Sequence, residues 1–328
     1  MSPLLVLVVL LALGLGGLVG LGLVLELQRP AVTDAEREEA PGRMAELSAG
    51  RTHVVESGPE GGQTPEGGQT VVLIHGLSTP AQVWGPLVRR LNAAGYRTLA
   101  FDLYGRGLSD RPARPHAPRL YVRQVTDLLD EAGIAGPVPV VGFSMGGLLA
   151  TELAAAHPER VSGIALLAPA GLAHGPTGFA ALCARLPVIG DALWSIRAGE
   201  ELRAGARAEA KDPRCEIEDL TRIMWRETNR RGTLPALLSS FRETLGAAQD
   251  STHRALGHAG LPVLAIWGVD DEIVPITSMG RLGNANPGAE NHALPGAGHG
   301  LPYTHADAVA GHLTDWLGRV SARAAPGA

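Results

Sequence analysis

The sequence predicts an α/β fold: a mostly parallel central sheet with helices on both faces, an inserted helical cap, and one apolar helix at the N-terminus. Three observations carry this. Short runs of β-type residues alternate with helix-spaced segments from Val71 onward, the pattern of a parallel sheet covered on both sides. Between Leu172 and Gly260 the alternation stops, and only helical spacing is left. A structureless loop of that size is rare in a compact domain, so an inserted cap is expected. Finally, Leu4 to Leu25 contains no charged or strongly polar residue.

That first run is long enough to cross a hydrocarbon core, at roughly 33 Å of helix against about 30 Å. No Lys or Arg precedes it, and Glu26-Leu27-Gln28-Arg29 follows without a small-residue cleavage pattern, which favours a retained single-pass anchor (3–27) over a cleaved signal. Arg29, Arg37 and Arg43 lie just beyond the span; the positive-inside rule then points to a cytoplasmic globular domain. Residues 28–50 read as a juxtamembrane linker with room for a short helix. Gly-Gly-Gln-Thr occurs twice around Pro65-Glu66, a low-complexity turn.

The core is expected over 51–171 and 261–328. Its strands are Val71–Ile74, Thr98–Phe101, Val138–Val141, Ile164–Leu167, Val263–Ile266 and Asn291–Leu294. The helices Pro80–Ala94, Tyr121–Ala132, Leu148–His157 and Ala306–Val320 carry helical apolar spacing. The cap is expected over 172–260, with helical segments at Phe179–Cys183, Leu193-Trp194, Ile217–Trp225 and Leu234–Leu245.

Composition narrows the function. A net charge of −5 and a pI near 6.1 leave no basic footprint for nucleic acid. Cys183 and Cys215 are the only cysteines, too few for a disulfide framework or a thiolate metal site. The eleven histidines show no metal-ligand spacing, so no metal is expected.

The chemistry concentrates in Gly142-Phe143-Ser144-Met145-Gly146-Gly147, between a strand and a helix. A serine there occupies a sharp turn that tolerates only very small neighbours and pushes the hydroxyl above the sheet. A serine hydroxyl needs a base to take its proton, and the base needs an acid partner to fix its tautomer. Trp267-Gly-Val-Asp-Asp-Glu-Ile-Val-Pro275 supplies carboxylates at the end of a strand. Leu294-Pro-Gly-Ala-Gly-His299-Gly300 supplies a histidine after the last strand. The chain order is thus Ser, Asp, His.

From about residue 50 to its end the chain resembles the α/β-hydrolase superfamily, on the strand–turn–helix serine, the order of the three residues and the His-Gly loop. The resemblance implies a serine hydrolase with Ser144 as nucleophile, His299 as base and Asp271, through the Gly-x-x-Asp pattern at Gly268–Asp271, as acid ahead of Asp270. His75-Gly76 is similar to the family's oxyanion loop, which implies backbone donors at Leu77 and Met145, with His75 as a positioning residue. Phe101-Asp-Leu-Tyr-Gly-Arg-Gly-Leu-Ser-Asp-Arg-Pro112 matches the family's loop after the strand at Thr98–Phe101. There Asp102, Arg106 and Asp110 are expected to hold the loop together. No cofactor is implied, because hydrolysis needs only water.

Serine rather than aspartate at 144 argues against dehalogenase and epoxide-hydrolase chemistry. The apolar N-terminus with His-Gly-Leu-Ser, Gly-Arg-Gly-Leu-Ser-Asp-Arg-Pro and Gly-Phe-Ser-Met-Gly is similar to membrane-anchored monoacylglycerol-lipase-type members. This implies a carboxylic ester substrate, such as a monoacylglycerol or lysophospholipid, held by cap residues. Val188-Ile189, Leu193-Trp194, Met224-Trp225 and Leu237-Leu238 are candidates for that lining. Two alternatives stay open: a C–C bond hydrolase of aromatic ring-cleavage products, whose substrates usually call for polar side chains near the carboxylate, with the direction of Arg185, Arg222 and Arg226 not given by the sequence, and a membrane-tethered binding protein without turnover.

Overall fold

A computed structural model describes residues 2–58, 69–172 and 175–324; the turn expected at Pro65-Glu66 and His174 lie outside the described residues. The eight-stranded sheet is built from β1 (Arg43–Leu47), β2 (Gly50–Ser57), β3 (Thr70–Ile74), β4 (Arg97–Phe101), β5 (Val138–Phe143), β6 (Val161–Leu167), β7 (Val263–Gly268) and β8 (Glu290–Leu294). Its order is β1-β2-β4-β3-β5-β6-β7-β8, with only the β1–β2 and β2–β4 pairings antiparallel.

The helices are α1 (Pro3–Gln28), α2 (Asp34–Glu39), α3 (Gly85–Ala93), α4 (Pro118–Glu131), α5 (Met145–Ala156), α6 (Gly178–Arg185), α7 (Ile189–Glu209), α8 (Leu220–Thr228), α9 (Thr233–Glu243), α10 (Asp250–His258), α11 (Thr277–Ala285), α12 (Leu301–Thr304) and α13 (Ala306–Ala324). The unbroken apolar run of β3 follows from burial on both faces. Val72 and Ile74 join the core under α4 and α5, while Val71 and Leu73 join the one under α3 and α13.

Two boundaries differ from the expectation. Residues 28–50 are more than a linker: α2 starts with a Thr33 capping box and β1 opens the sheet. β1 is an edge strand with only Ala45 buried, so it lacks the apolar alternation that marks a strand in sequence. At the other end of the cap, α10 packs on α5 and α11 of the core, and the cap proper is α6–α9. That cap has its own apolar centre of Cys183, Trp194, Ala198, Leu234, Leu237 and Leu238. Both cysteines are free, Cys183 buried and Cys215 half-buried.

α1 is long and apolar enough to cross a membrane, with a mean hydropathy of 2.8 over its most apolar window and none of that window buried. It does not stand apart from the rest. Its C-terminal half packs along α7, and Glu26 accepts a hydrogen bond from the Gly232 amide at 2.6 Å while Arg29 donates to the Ser195 carbonyl at 2.7 Å.

The sheet and α5 approach so closely at the serine turn that side chains are excluded. A Cβ on Gly142 would lie 2.2 Å from the Gly146 carbonyl oxygen, and one on Gly146 2.0 Å from the Ile74 oxygen. Gly146→Ala is therefore expected to cost about 3 kcal/mol or more, read as a lowered urea midpoint or loss of the folded fraction. An unchanged midpoint would contradict this packing.

Candidate active site

Ser144 sits between β5 and α5 with φ of 53° and ψ of −116°, a backbone conformation that a non-glycine residue adopts only under constraint. The constraint is visible: the Ser144 amide donates to the Leu167 carbonyl at 2.9 Å, and the Ser144 carbonyl accepts from Gly147 and Ala170 at 2.9 and 3.0 Å. The loop after β8 brings His299 to it, with Nε2 3.0 Å from Ser144 Oγ. His299 Nδ1 lies 2.8 Å from Asp271 Oδ2.

The other carboxylate oxygen of Asp271 accepts the Ile273 and Val274 amides, each at 2.8 Å. That fixes the carboxylate, and hence the imidazole tautomer with its proton on Nδ1 and Nε2 free to accept from Ser144. Asp270 is exposed, and its amide donates to the Ala297 carbonyl; it does not reach the histidine. The three expected residues therefore converge, with Asp271 in the acid position.

His75 and Gly76 follow β3 directly. A Cβ on Gly76 would lie 3.5 Å from Ser144 Cβ, which puts this loop beside the serine. The Leu103 amide donates to His75 Nε2 at 2.9 Å, so Nδ1 carries the proton and donates to the Gly76 carbonyl at 2.8 Å. That carbonyl belongs to the same peptide unit as the Leu77 N–H, the expected oxyanion donor. Burial holds the His75 imidazole down at about 4, so it is neutral at physiological pH and acts by position. Met145 follows the serine at the first turn of α5 and is fully buried.

The loop between β4 and α4 supplies a role that sequence spacing cannot show. Arg106 is fully buried. Its Nε donates to the Leu77 carbonyl at 2.8 Å, and its guanidinium also reaches the Tyr104 carbonyl, the Tyr121 hydroxyl and Ser240 Oγ on α9. One buried cation thus ties the oxyanion loop to the cap. Asp102 anchors the same loop, accepting from the Ala81 amide at 2.7 Å, the Leu108 amide at 2.9 Å and His53 at 2.8 Å. Burial would raise its carboxyl, but the hydrogen bond and charge of His53 outweigh that and hold it at about 2. Asp110 accepts from the Arg51 amide at 2.8 Å and pairs with Arg37.

A cavity of about 690 Å³ opens from Ser144 and His299 under the cap. Leu202, Leu220, Met224, Phe241, Leu245 and Ile273 give it an apolar wall. Among the described residues its charged lining is Glu201, Glu209 and Glu272, with no Lys or Arg. Tyr303 donates to Glu209 at 2.5 Å; burial and that carboxylate push the phenol well above its ordinary range.

Of the expected cap lining only Met224 faces the cavity. Val188 and Trp225 point to solvent, and Trp194, Leu237 and Leu238 fill the cap's own centre. Ile189 and Leu193 are half-buried and do not line the cavity either. Arg185, Arg222 and Arg226 are all exposed and none lines it. Among the described residues no group of three or more His, Cys, Asp or Glu could hold a metal ion.

Comparison with known proteins agrees with this architecture. A family model described as "Alpha/beta hydrolase family" matches residues 71–312. The chain is 31% identical to a 2-hydroxy-6-oxononadienedioate/2-hydroxy-6-oxononatrienedioate hydrolase of Cupriavidus pinatubonensis, over 78% of this chain and 89% of that one. It is 29% identical to a 2-hydroxy-6-oxo-6-phenylhexa-2,4-dienoate hydrolase of Burkholderia cepacia, over 76% and 88%. Among solved structures it is similar to the enol-lactonase of Burkholderia xenovorans, with a TM-score of 0.65 and 25% identity over 84% and 99% of the two chains.

Two measurements check the site. Asp271→Asn is expected to lower kcat by about 10⁴-fold with folding intact, while Asp270→Asn leaves it unchanged; the reverse pattern would reassign the acid. The buried His75, held at about 4 against an ordinary 6.5, binds fewer protons folded than unfolded between those pH values. Stability therefore rises with pH across that window and is lost as pH falls through it. His116 and His253, also buried and lowered to about 3 and about 4, act in the same sense. The urea midpoint should drop on going from pH 6.5 towards pH 4, and a flat profile would contradict neutral buried imidazoles.

Proposed function

The chain belongs to the alpha/beta hydrolase family, and on that premise we propose that it is a membrane-tethered serine hydrolase of uncharged carboxylic esters with an apolar acyl part. The observation that carries this is the cavity: apolar walls, three glutamates and no Lys or Arg among the described lining residues. A substrate carboxylate buried there would lose its hydration with no partner in return, at a cost of several kcal/mol. A neutral ester loses little and gains apolar contact.

In this reading Ser144 Oγ attacks the ester carbonyl as His299 Nε2 takes its proton. The Leu77 and Met145 amides hold the oxyanion, the Leu77 N–H on a peptide fixed by His75 and in a loop held by Arg106. His299 then passes the proton to the departing alkoxide, and water attacks the acyl-serine by the same route, freeing a carboxylic acid and restoring the serine. The likeness to an enol-lactonase, an enzyme named for a cyclic ester, supports oxygen as the leaving atom. α1 supports a single-pass anchor that keeps the cavity near lipid-like esters such as monoacylglycerols.

A second reading has its own support. The relatives at 31 and 29% identity are named hydrolases of dienedioate and dienoate compounds, and the same serine chemistry serves a ketone carbonyl in C–C bond hydrolysis. Such substrates carry one or two carboxylates, and here the cavity offers them no guanidinium or ammonium.

The deciding experiment sets neutral esters of increasing acyl length beside a 2-hydroxy-6-oxo-dienedioate, with Ser144→Ala as control. The expected outcome is kcat/KM rising with acyl length, reduced by about 10³-fold or more in Ser144→Ala, and little turnover of the dianion. Turnover of the dienedioate matching or exceeding that of the esters would replace this reading with C–C hydrolysis.

A further inference from the structure

We propose that the α6–α7 turn is seated in the surface of the same bilayer that α1 crosses, so that the cavity takes its substrate from the membrane rather than from water. The inference rests on the ester reading and on α1 as a span; the docking itself is argued from helix length. Pro3 to Gly17 are exposed throughout. Beyond them Leu18, Val19, Gly22, Leu25 and Glu26 form a half-buried or buried stripe at helical spacing. This stripe packs on α7, where a Cβ on Gly22 would come 2.6 Å from Ala192 Cα.

The free stretch supplies only about 22 Å of helix, whereas the hydrocarbon core is about 30 Å thick. Tilting the helix makes it shorter along the membrane normal. The missing 8 Å or so, about five residues, extends the span to Gly22. Gly22 is the residue that touches the first turn of α7. A spanning α1 therefore draws that turn, and the segment leading into it, down to the membrane boundary.

That segment is built for such a place. Leu182, Leu186 and Val188 are 49, 37 and 60% exposed. Arg185 is exposed between them. Aliphatic side chains with a basic residue among them suit the boundary between acyl chains and headgroups, where a long cationic side chain reaches the phosphates. Just before them, Pro176, Thr177 and Ala180 line the cavity. The segment is thus a thin wall, with the cavity on one side and the three outward aliphatic residues on the other.

The test uses the full chain in phosphatidylcholine–phosphatidylglycerol vesicles, with Cys215→Ser and a nitroxide placed by Val188→Cys or, as control, by Glu159→Cys. Glu159 is exposed at the end of the sheet away from the cavity. Expected is a label at 188 that meets dissolved oxygen more often, and a water-soluble nickel chelate less often, than the label at 159. Equal chelate access at both positions would overturn the proposal.

In parallel, Leu182→Asp with Val188→Asp is expected to slow hydrolysis of a vesicle-borne long-chain ester by about tenfold while sparing a dissolved short-chain ester. Equal rates on the vesicle-borne ester would count against the docking. Release of the chain by alkaline carbonate would remove the span and the proposal with it. If neither ester is hydrolysed, the ester reading fails by itself, and the oxygen–chelate contrast still decides whether the turn is seated in lipid.

Discussion

The close passage of β5, the Ser144 turn and the start of α5 is the constraint on which the rest of the molecule depends. Gly142 and Gly146 let three backbones meet where no Cβ fits, and the left-handed Ser144 backbone is held by a hydrogen bond to the Leu167 carbonyl of β6 and one from the Ala170 amide after it. Strain of this kind persists only when its surroundings over-determine it. Here the surroundings are the central strands themselves, the most deeply buried part of the fold. The hydroxyl, the amide that follows it and the neighbouring oxyanion loop are therefore positioned by the sheet rather than by flexible loops.

A second level of support fastens the cap to that centre. Arg106 carries a full charge into the interior, which is tolerable only with its donors satisfied. It meets this with carbonyls of the oxyanion and β4 loops and hydroxyls of α4 and α9. Glu227 of α8 accepts the Gly107 amide at 2.8 Å from the same loop, and burial raises its carboxyl. Cap and catalytic loop thus share one polar seam, so a cap displacement would be felt first at Leu77.

Much of this was legible in the chain. Alternating periods marked the sheet from β3 to β8, the stalled alternation marked the cap, and the serine, aspartate and histidine stood in recognisable local settings. What stayed hidden depends on contacts distant in sequence. Arg106 reaches partners 15, 29 and 134 residues away, and nothing in Gly-Arg-Gly distinguishes that from a surface arginine. β1 was hidden because an edge strand buries almost nothing. The cap lining was misread because helical spacing marks an apolar face without saying whether it meets the cavity, as at Met224, or the cap's own centre, as at Leu237.

The acidic lining of the cavity also bears on the end of the reaction cycle. A hydrolase of neutral acyl compounds turns an uncharged substrate into an anion. On the ester reading proposed above, Glu201, Glu209 and Glu272 in the lining set like charge beside that newborn carboxylate, with Glu201 itself paired to Arg197. The bond cleavage itself thus converts a well-held guest into one the chamber rejects. On that reading departure is driven by the chemistry that precedes it, and accumulated acid should have little hold on the free enzyme.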